Sequence, residues 1–153
     1  MKNIHKVLFV CTGNSCRSIM AEAYARKRFR EEGLRVEARS AGTLGISGIS
    51  PTKEALKVLS INNVEAAGLE STPLTPELID WADIVLVMEP AHKKIAAELV
   101  PGGRDKVRYL GEYRTSPGDI VIPDPIGRSL SFYRASFRMI REPIEEFIKW
   151  LKE

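Results

Sequence analysis

The chain has 153 residues, 44% hydrophobic and 28% charged, with a formal net charge of +3. That length fits one domain, 1–153, with a sizeable core, and the mild basic excess suits an anionic substrate without the concentrated basic face of a nucleic-acid binder. No apolar run reaches bilayer-spanning length, no small-residue cleavage site follows the first residues, and the two cysteines fit a reducing, cytoplasmic setting with free thiols.

Taken in chain order, Lys6-Val7-Leu8-Phe9-Val10 is a continuous apolar run expected as a strand buried on both faces. A polar loop precedes a helix predicted over 18–32, stopped by Gly33. Its basic run, Arg26 to Arg30, is followed at once by Glu31 and Glu32, and reads as a solvated helix face. Strict alternation in Leu34-Arg35-Val36-Glu37-Ala38-Arg39 predicts a half-exposed edge strand. Ser50-Pro51 reads as a cap with proline at the first helical position, placing Ala55, Leu56 and Leu59 inward. Thr75-Pro76-Glu77 gives the same signal for a short helix ending near Trp81.

A third strand is expected over 83–88, a helix over 91–99 ending at Pro101-Gly102-Gly103, and a fourth strand over 106–110. The loop over 111–128, rich in glycine and proline, is long enough to suggest function. Finally Tyr133, Phe137, Ile140, Ile144, Phe147 and Leu151 form one apolar stripe at helical spacing. The stripe keeps its phase across Pro143, which predicts one continuous helix. Strands alternating with helices imply an α/β domain: a four-stranded parallel sheet with helices on both faces and a phosphate-binding loop after the first strand.

That loop reads Cys11-Thr12-Gly13-Asn14-Ser15-Cys16-Arg17-Ser18. Ligands of open parallel sheets sit beyond the carboxyl ends of strands, where a helix N-terminus offers unpaired N–H groups and partial positive charge. The same field favours the thiolate form of a cysteine. Gly13 is expected to let the backbone curl around an oxyanion, and Arg17 supplies a planar, permanently charged fork for phosphate oxygens. The Gly-Lys-Ser/Thr ending of a nucleotide-triphosphate loop is missing. A metal site is not expected, because Cys11 and Cys16 would need further ligands and only His5 and His92 offer imidazoles; each histidine alone reads as a surface residue.

Val10 to Ser18, followed by Met20-Ala21-Glu22, resembles the signature of low-molecular-weight protein tyrosine phosphatases. The resemblance covers essentially the whole chain and includes Arg39-Ser40-Ala41-Gly42-Thr43, Ala82-Asp83-Ile84-Val85 and Asp124-Pro125. It implies Cys11 as nucleophile, Arg17 as transition-state clamp and Asp124 as acid/base, with Thr12 to Ser18 forming the phosphate loop. Asn14 and Ser40 would brace that loop, Ser18 would hydrogen-bond the thiolate, and Cys16 would form a disulfide with an oxidised Cys11. No cofactor is implied. The partners implied are a phosphorylated protein or peptide and inorganic phosphate, with no nucleic acid or membrane.

Arsenate reductases share the loop but need further cysteines to carry oxidising equivalents, and none follows Cys16. A phosphocarrier must preserve its phosphocysteine and has little use for Arg17 or Asp124. Tyrosine-specific members often carry aromatic walls where this chain has Ile46 and Ile126. Asp-Pro-x-Gly with a hydroxyl at Ser15 resembles the bacterial branch that dephosphorylates protein arginine, although that branch typically has Thr there. The primary expectation is a phosphotyrosine-type protein phosphatase, with protein-arginine phosphatase as the alternative; Ser15, Ile46 and Ile126 are the candidate specificity residues.

Overall fold

The computed structural model describes residues 2–153. Its strands are β1 (Lys6–Cys11), β2 (Glu37–Gly42), β3 (Ile84–Val87) and β4 (Val107–Tyr109), in one sheet of order β2-β1-β3-β4. Every pairing is parallel. The helices are α1 (Arg17–Glu31), α2 (Lys53–Ile61), α3 (Pro76–Trp81), α4 (Pro90–Leu99) and α5 (Leu130–Lys152). Alternate residues of β1 feed opposite cores, as the period of two requires. Val7, Phe9 and Cys11 pack with residues of α1, α2 and α5, whereas Leu8 and Val10 pack with Ile79 of α3 and Ala96 of α4. Among the described residues, no helix is long and apolar enough to cross a membrane.

The expected stripe on α5 is buried at all six positions, and the helix runs unbroken through Pro143. Thr75 caps α3 as the sequence indicates, its hydroxyl accepting from the Leu78 N–H at 3.2 Å. Two elements differ by more than a residue at their bounds. The second strand is an edge strand but begins at Glu37, because Leu34 belongs to the end of α1. Gly33 adopts φ 67° and donates to Arg30 O at 3.1 Å, while Leu34 donates to Phe29 O at 2.8 Å, a Schellman closure. The second helix is capped by Thr52, not Ser50; the Thr52 side chain accepts from Ala55 N at 3.3 Å. The resulting phase leaves Ala55 and Leu59 buried but Leu56 at the surface, 38% exposed.

The sheet order places the site. From β1 the chain goes to β2 on one side and later to β3 on the other, so a crevice opens beyond the carboxyl ends of β1 and β3. Cys11 pairs in register with Gly42 at that end. A Cβ on Gly42 would stand 2.8 Å from Thr12 O and 2.9 Å from Asn14 Cβ, so β2 touches the loop after Cys11 through bare backbone. Gly42→Ala should therefore displace that loop, lowering stability by about 1–3 kcal/mol and lowering activity more than stability alone explains. Urea unfolding and phosphatase kinetics on one preparation check this; wild-type values for both would show that the close approach is dispensable.

Candidate active site

Helix α1 begins without a side-chain cap: Cys16 holds the N-cap position but makes no side-chain capping hydrogen bond. The unpaired donors of that turn face the residues after β1, the arrangement that receives an oxyanion. The left-handed residue is not Gly13 but Asn14, at φ 55°. Asparagine tolerates this conformation, and here its side chain is wholly committed. The Asn14 carboxamide oxygen accepts from Thr72 N–H at 2.8 Å. Its nitrogen donates to Ser18 Oγ at 2.6 Å and Ser40 Oγ at 2.9 Å. Ser40 in turn donates to Glu22, a buried carboxyl also paired with Arg26. Burial pushes the Glu22 carboxyl up, opposed by Ser40 and by the Arg26 and Arg39 charges.

These bonds orient the last hydroxyl. Because Ser18 Oγ accepts from Asn14, its proton is available to Cys11 Sγ, 2.9 Å away. The expected loop residues Cys11, Thr12, Asn14, Ser15, Cys16, Arg17 and Ser18 thus lie together, with Ser40 behind them.

Arg17 is almost completely buried, at 1% exposure. One terminal nitrogen, Nη1, donates to Glu89 Oε2 at 2.6 Å and to Ile122 O at 2.9 Å. The other, Nη2, donates to Thr12 Oγ1 at 3.2 Å and stands 3.5 Å from Asp124 Oδ2. Nε is buried with no hydrogen-bond partner among the described residues. A buried guanidinium with an unused donor beside an uncapped helix start is an anion site on physical grounds.

Asp124 touches three groups at once. Besides Arg17, its Oδ1 accepts from Ile126 N–H at 3.1 Å and from the Cys16 thiol at 3.6 Å. Burial, with the neighbouring Cys11 and Asp124, pushes the Cys16 thiol up to about 12, so it stays a neutral donor. Asp119 is directed elsewhere, accepting from Val121 N–H at 3.0 Å. The candidate specificity residues lie toward solvent: Ser15 is half-buried, Ile46 is 42% exposed and Ile126 is 54% exposed.

The residues the sequence did not single out here are Glu89, His92, Glu22 and the Ile122 carbonyl. His92 corrects an expectation, since it is not at the surface but 1% exposed, its Nε2 lying 2.8 Å from Thr12 Oγ1. The available signal was position: Glu89 and His92 are one turn apart at the start of the helix after β3.

Thiol, buried cation and carboxyl meeting at an oxyanion-binding turn suit attack at phosphorus, and fold and site together define a cysteine-dependent phosphatase. The chain belongs to the low molecular weight phosphotyrosine protein phosphatase family, whose model it matches over residues 6–153. It is 40% identical to the protein-arginine-phosphatase of Bacillus subtilis (strain 168), over 96% of this chain and 97% of that protein. It is 33% identical to the low molecular weight protein-tyrosine-phosphatase PtpB of Staphylococcus haemolyticus (strain JCSC1435), over 88% and 91% of the two chains. A solved structure of the YwlE arginine phosphatase carrying a phosphorylated active-site serine superposes with TM-score 0.89 at 40% identity, covering 97% of this chain and 96% of that one.

Burial, joined by the Arg17 charge, pushes the His92 imidazole down to about 4, with Glu89 and Asp124 opposing. An unfolded histidine titrates near about 6.5. Between those values the unfolded chain holds a proton that the folded chain refuses, so stability falls as pH drops through that window. His92→Gln should flatten this acid-side loss. Urea unfolding at about pH 7 and about pH 4.5 measures it, and an unchanged difference in the variant would remove His92 as the source.

Proposed function

We propose that Cys11 is the nucleophile, Arg17 and the loop N–H groups the phosphate clamp, and Asp124 the acid and then the base. The observation that carries this reading is the buried Arg17 Nε, a permanent cation's donor with no partner, beside Cys11 and the uncapped start of α1. In the first step Cys11 sulfur bonds to phosphorus as the bond to the leaving oxygen or nitrogen breaks, and Asp124 gives that atom its proton. In the second step the Asp124 carboxylate takes a proton from water; the water oxygen attacks phosphorus, releasing phosphate and returning the Cys11 thiolate. Ser18 stabilises that thiolate, while Arg17 and the loop amides stabilise the charge spread over the equatorial oxygens. The setting is a reducing, cytoplasmic one that keeps both thiols free, and Cys16 is the group that captures a Cys11 oxidised to sulfenic acid, expelling water as the disulfide forms.

Cys11→Ser should abolish turnover while vanadate binding persists, because Arg17 and the loop donors remain. Asp124→Ala should slow leaving groups of high pKa strongly and activated aryl phosphates little. Appreciable multiple turnover by Cys11→Ser, or equal losses for Asp124→Ala across the leaving-group series, would overturn these assignments.

The substrate that these roles favour is protein phosphoarginine. A phosphotyrosine ring gains from flat aromatic walls, and the corresponding flanks here are the aliphatic, exposed Ile46 and Ile126. A guanidinium instead brings several N–H donors and gains from an acceptor near the loop, which Ser15 can supply. The Bacillus subtilis relative named for arginine favours the same reading. The measurement is kcat/KM for matched phosphoarginine and phosphotyrosine peptides, with phosphoarginine expected to be at least as good. Ser15→Ile should move the ratio toward phosphotyrosine. A preference for phosphotyrosine of more than about a hundredfold in the wild type, or a ratio unmoved by the substitution, would sink this specificity argument.

A further inference from the structure

The second nitrogen of the Arg17 fork lies between two acceptors. Nη2 donates to Thr12 Oγ1 at 3.2 Å and stands 3.5 Å from Asp124 Oδ2. The Nη1 side is fixed independently by Glu89 and the Ile122 carbonyl. Each Nη carries two N–H groups, so Nη2 meets both acceptors at once. At 3.5 Å the Asp124 contact is longer than a full charge-assisted hydrogen bond, and the Thr12 bond decides whether Nη2 stays there or closes onto the carboxylate. Thr12 is only half-buried, and a loop threonine with one distant donor would hold Nη2 loosely. Behind it lies His92, whose Nε2 is 2.8 Å from Thr12 Oγ1.

We infer that His92 is a positioning residue that fixes the Thr12 hydroxyl as an acceptor for Arg17 Nη2, and so keeps Arg17 from closing its 3.5 Å contact with the Asp124 carboxylate into a full hydrogen-bonded pair. This inference rests on the roles proposed above for Arg17 and Asp124. His92 is buried to 1% exposure and its Nδ1 has no partner, so Thr12 is its one anchor through the ring nitrogens among the described residues. A buried imidazole meeting only one of its two hydrogen bonds is unfavourable for stability; a functional bond to the catalytic loop accounts for its presence. The ring is held neutral, as its low proton affinity requires beside the Arg17 cation. A neutral imidazole can donate to Thr12 Oγ1 or accept from its hydroxyl, and either bond leaves the oxygen a lone pair for Arg17.

The source of this arrangement is a single helical turn. Glu89 is the N-cap of α4, and the His92 N–H donates to the Glu89 carbonyl at 3.1 Å. One backbone feature thus delivers both halves of the control over Arg17: Glu89 directly onto Nη1, and His92 through Thr12 onto Nη2. Nε is then left without a partner among the described residues.

If Nη2 is released from Thr12, its nearest alternative is Asp124. The damage should then appear where the acid is needed. His92→Phe and Thr12→Val should each lower kcat/KM about tenfold or more for aryl phosphates of high leaving-group pKa, and less than about threefold for activated ones. The double variant should lose no more than the worse single variant, because both remove the same bond. His92→Gln, whose amide nitrogen or oxygen can reach the Thr12 hydroxyl, should recover most of the loss. Thermal unfolding of each variant separates this from a folding defect, and if His92→Phe does not fold, Thr12→Val and His92→Gln carry the same comparison. Equal losses across the leaving-group series, additive losses in the double variant, or no recovery with Gln would overturn the inference. Asp124→Ala run in parallel shows where a failure lies. If it steepens the leaving-group dependence while the His92 and Thr12 variants do not, only the positioning role falls; if it does not, the acid assignment itself falls.

Discussion

A guanidinium at 1% exposure is the constraint on which the rest of the site depends. Arginine keeps its charge, and a buried charge is tolerable only when nearly all of its donors are met. The partners of Arg17 come from three places: Thr12 in the loop, Glu89 at the end of β3, and Ile122 and Asp124 in the loop before α5. That last loop is itself tied to the sheet, the Ile122 N–H donating to the Met88 carbonyl at 3.0 Å. Segments distant in sequence converge because one cation needs them all. The one donor they leave unmet among the described residues is Nε.

A second constraint is the direction of the hydrogen bonds behind Cys11. The chain of donation runs from Thr72 into Asn14, from Asn14 into Ser18 and Ser40, from Ser40 into Glu22, and from Ser18 toward sulfur. Serine has one proton to give, and with the Asn14 amide donating to its oxygen that proton is free to point at the Cys11 sulfur. The Thr72 N–H fixes which way the amide points. The loop is therefore shaped for a negative sulfur before any substrate arrives, and each unmet member of the network would cost about 1–3 kcal/mol. Asn14 in left-handed backbone is the hinge of both properties, curling the chain and supplying the amide.

Most of the architecture was legible in the sequence because its signals are local. The four apolar residues before Cys11, the stripe on α5 and the Thr75-Pro76 cap each declare themselves within a few residues. The errors fell where a distant partner decides. Alternation alone began the second strand at Leu34, but pairing with β1 fixes its register so that Gly42 meets Cys11, and Leu34 is consumed in closing α1. Ser50-Pro51 looked like a cap, but Thr52 donates its N–H to the Ser15 carbonyl at 3.0 Å while its hydroxyl takes the capping bond. In the site, the loop motif revealed the thiol and the cation. Glu89, Glu22 and His92 were silent, because a carboxylate or imidazole becomes a second support only when the fold carries it there. His92 shows the difficulty: nothing in its neighbours marks it as buried, yet it lies under the catalytic loop.

The same geometry explains why such a motif reveals the reaction more readily than the substrate. The side chains that fix the loop after β1, Asn14, Arg17, Ser18 and Ser40, are buried and hydrogen-bonded, so substitutions there act on stability as well as on the site. The segment 43–52 is different. It is pinned to the phosphate loop at both ends, by Thr43 N–H to Cys11 O, Leu44 N–H to Thr12 O and Thr52 N–H to Ser15 O, each at 3.0 Å. Between the pins it exposes Leu44, Ile46 and Ile49, and on the Asp124 side Ile126 stands equally exposed. Exposed side chains on anchored backbone can change with little effect on stability. On the roles proposed above, Ile46 and Ile126 are then the places where the choice between an aromatic ring and a guanidinium can be tuned. Leaving-group selectivity can therefore vary within one conserved geometry, while the cation, the thiol and the hydrogen bonds that direct them cannot vary independently of one another.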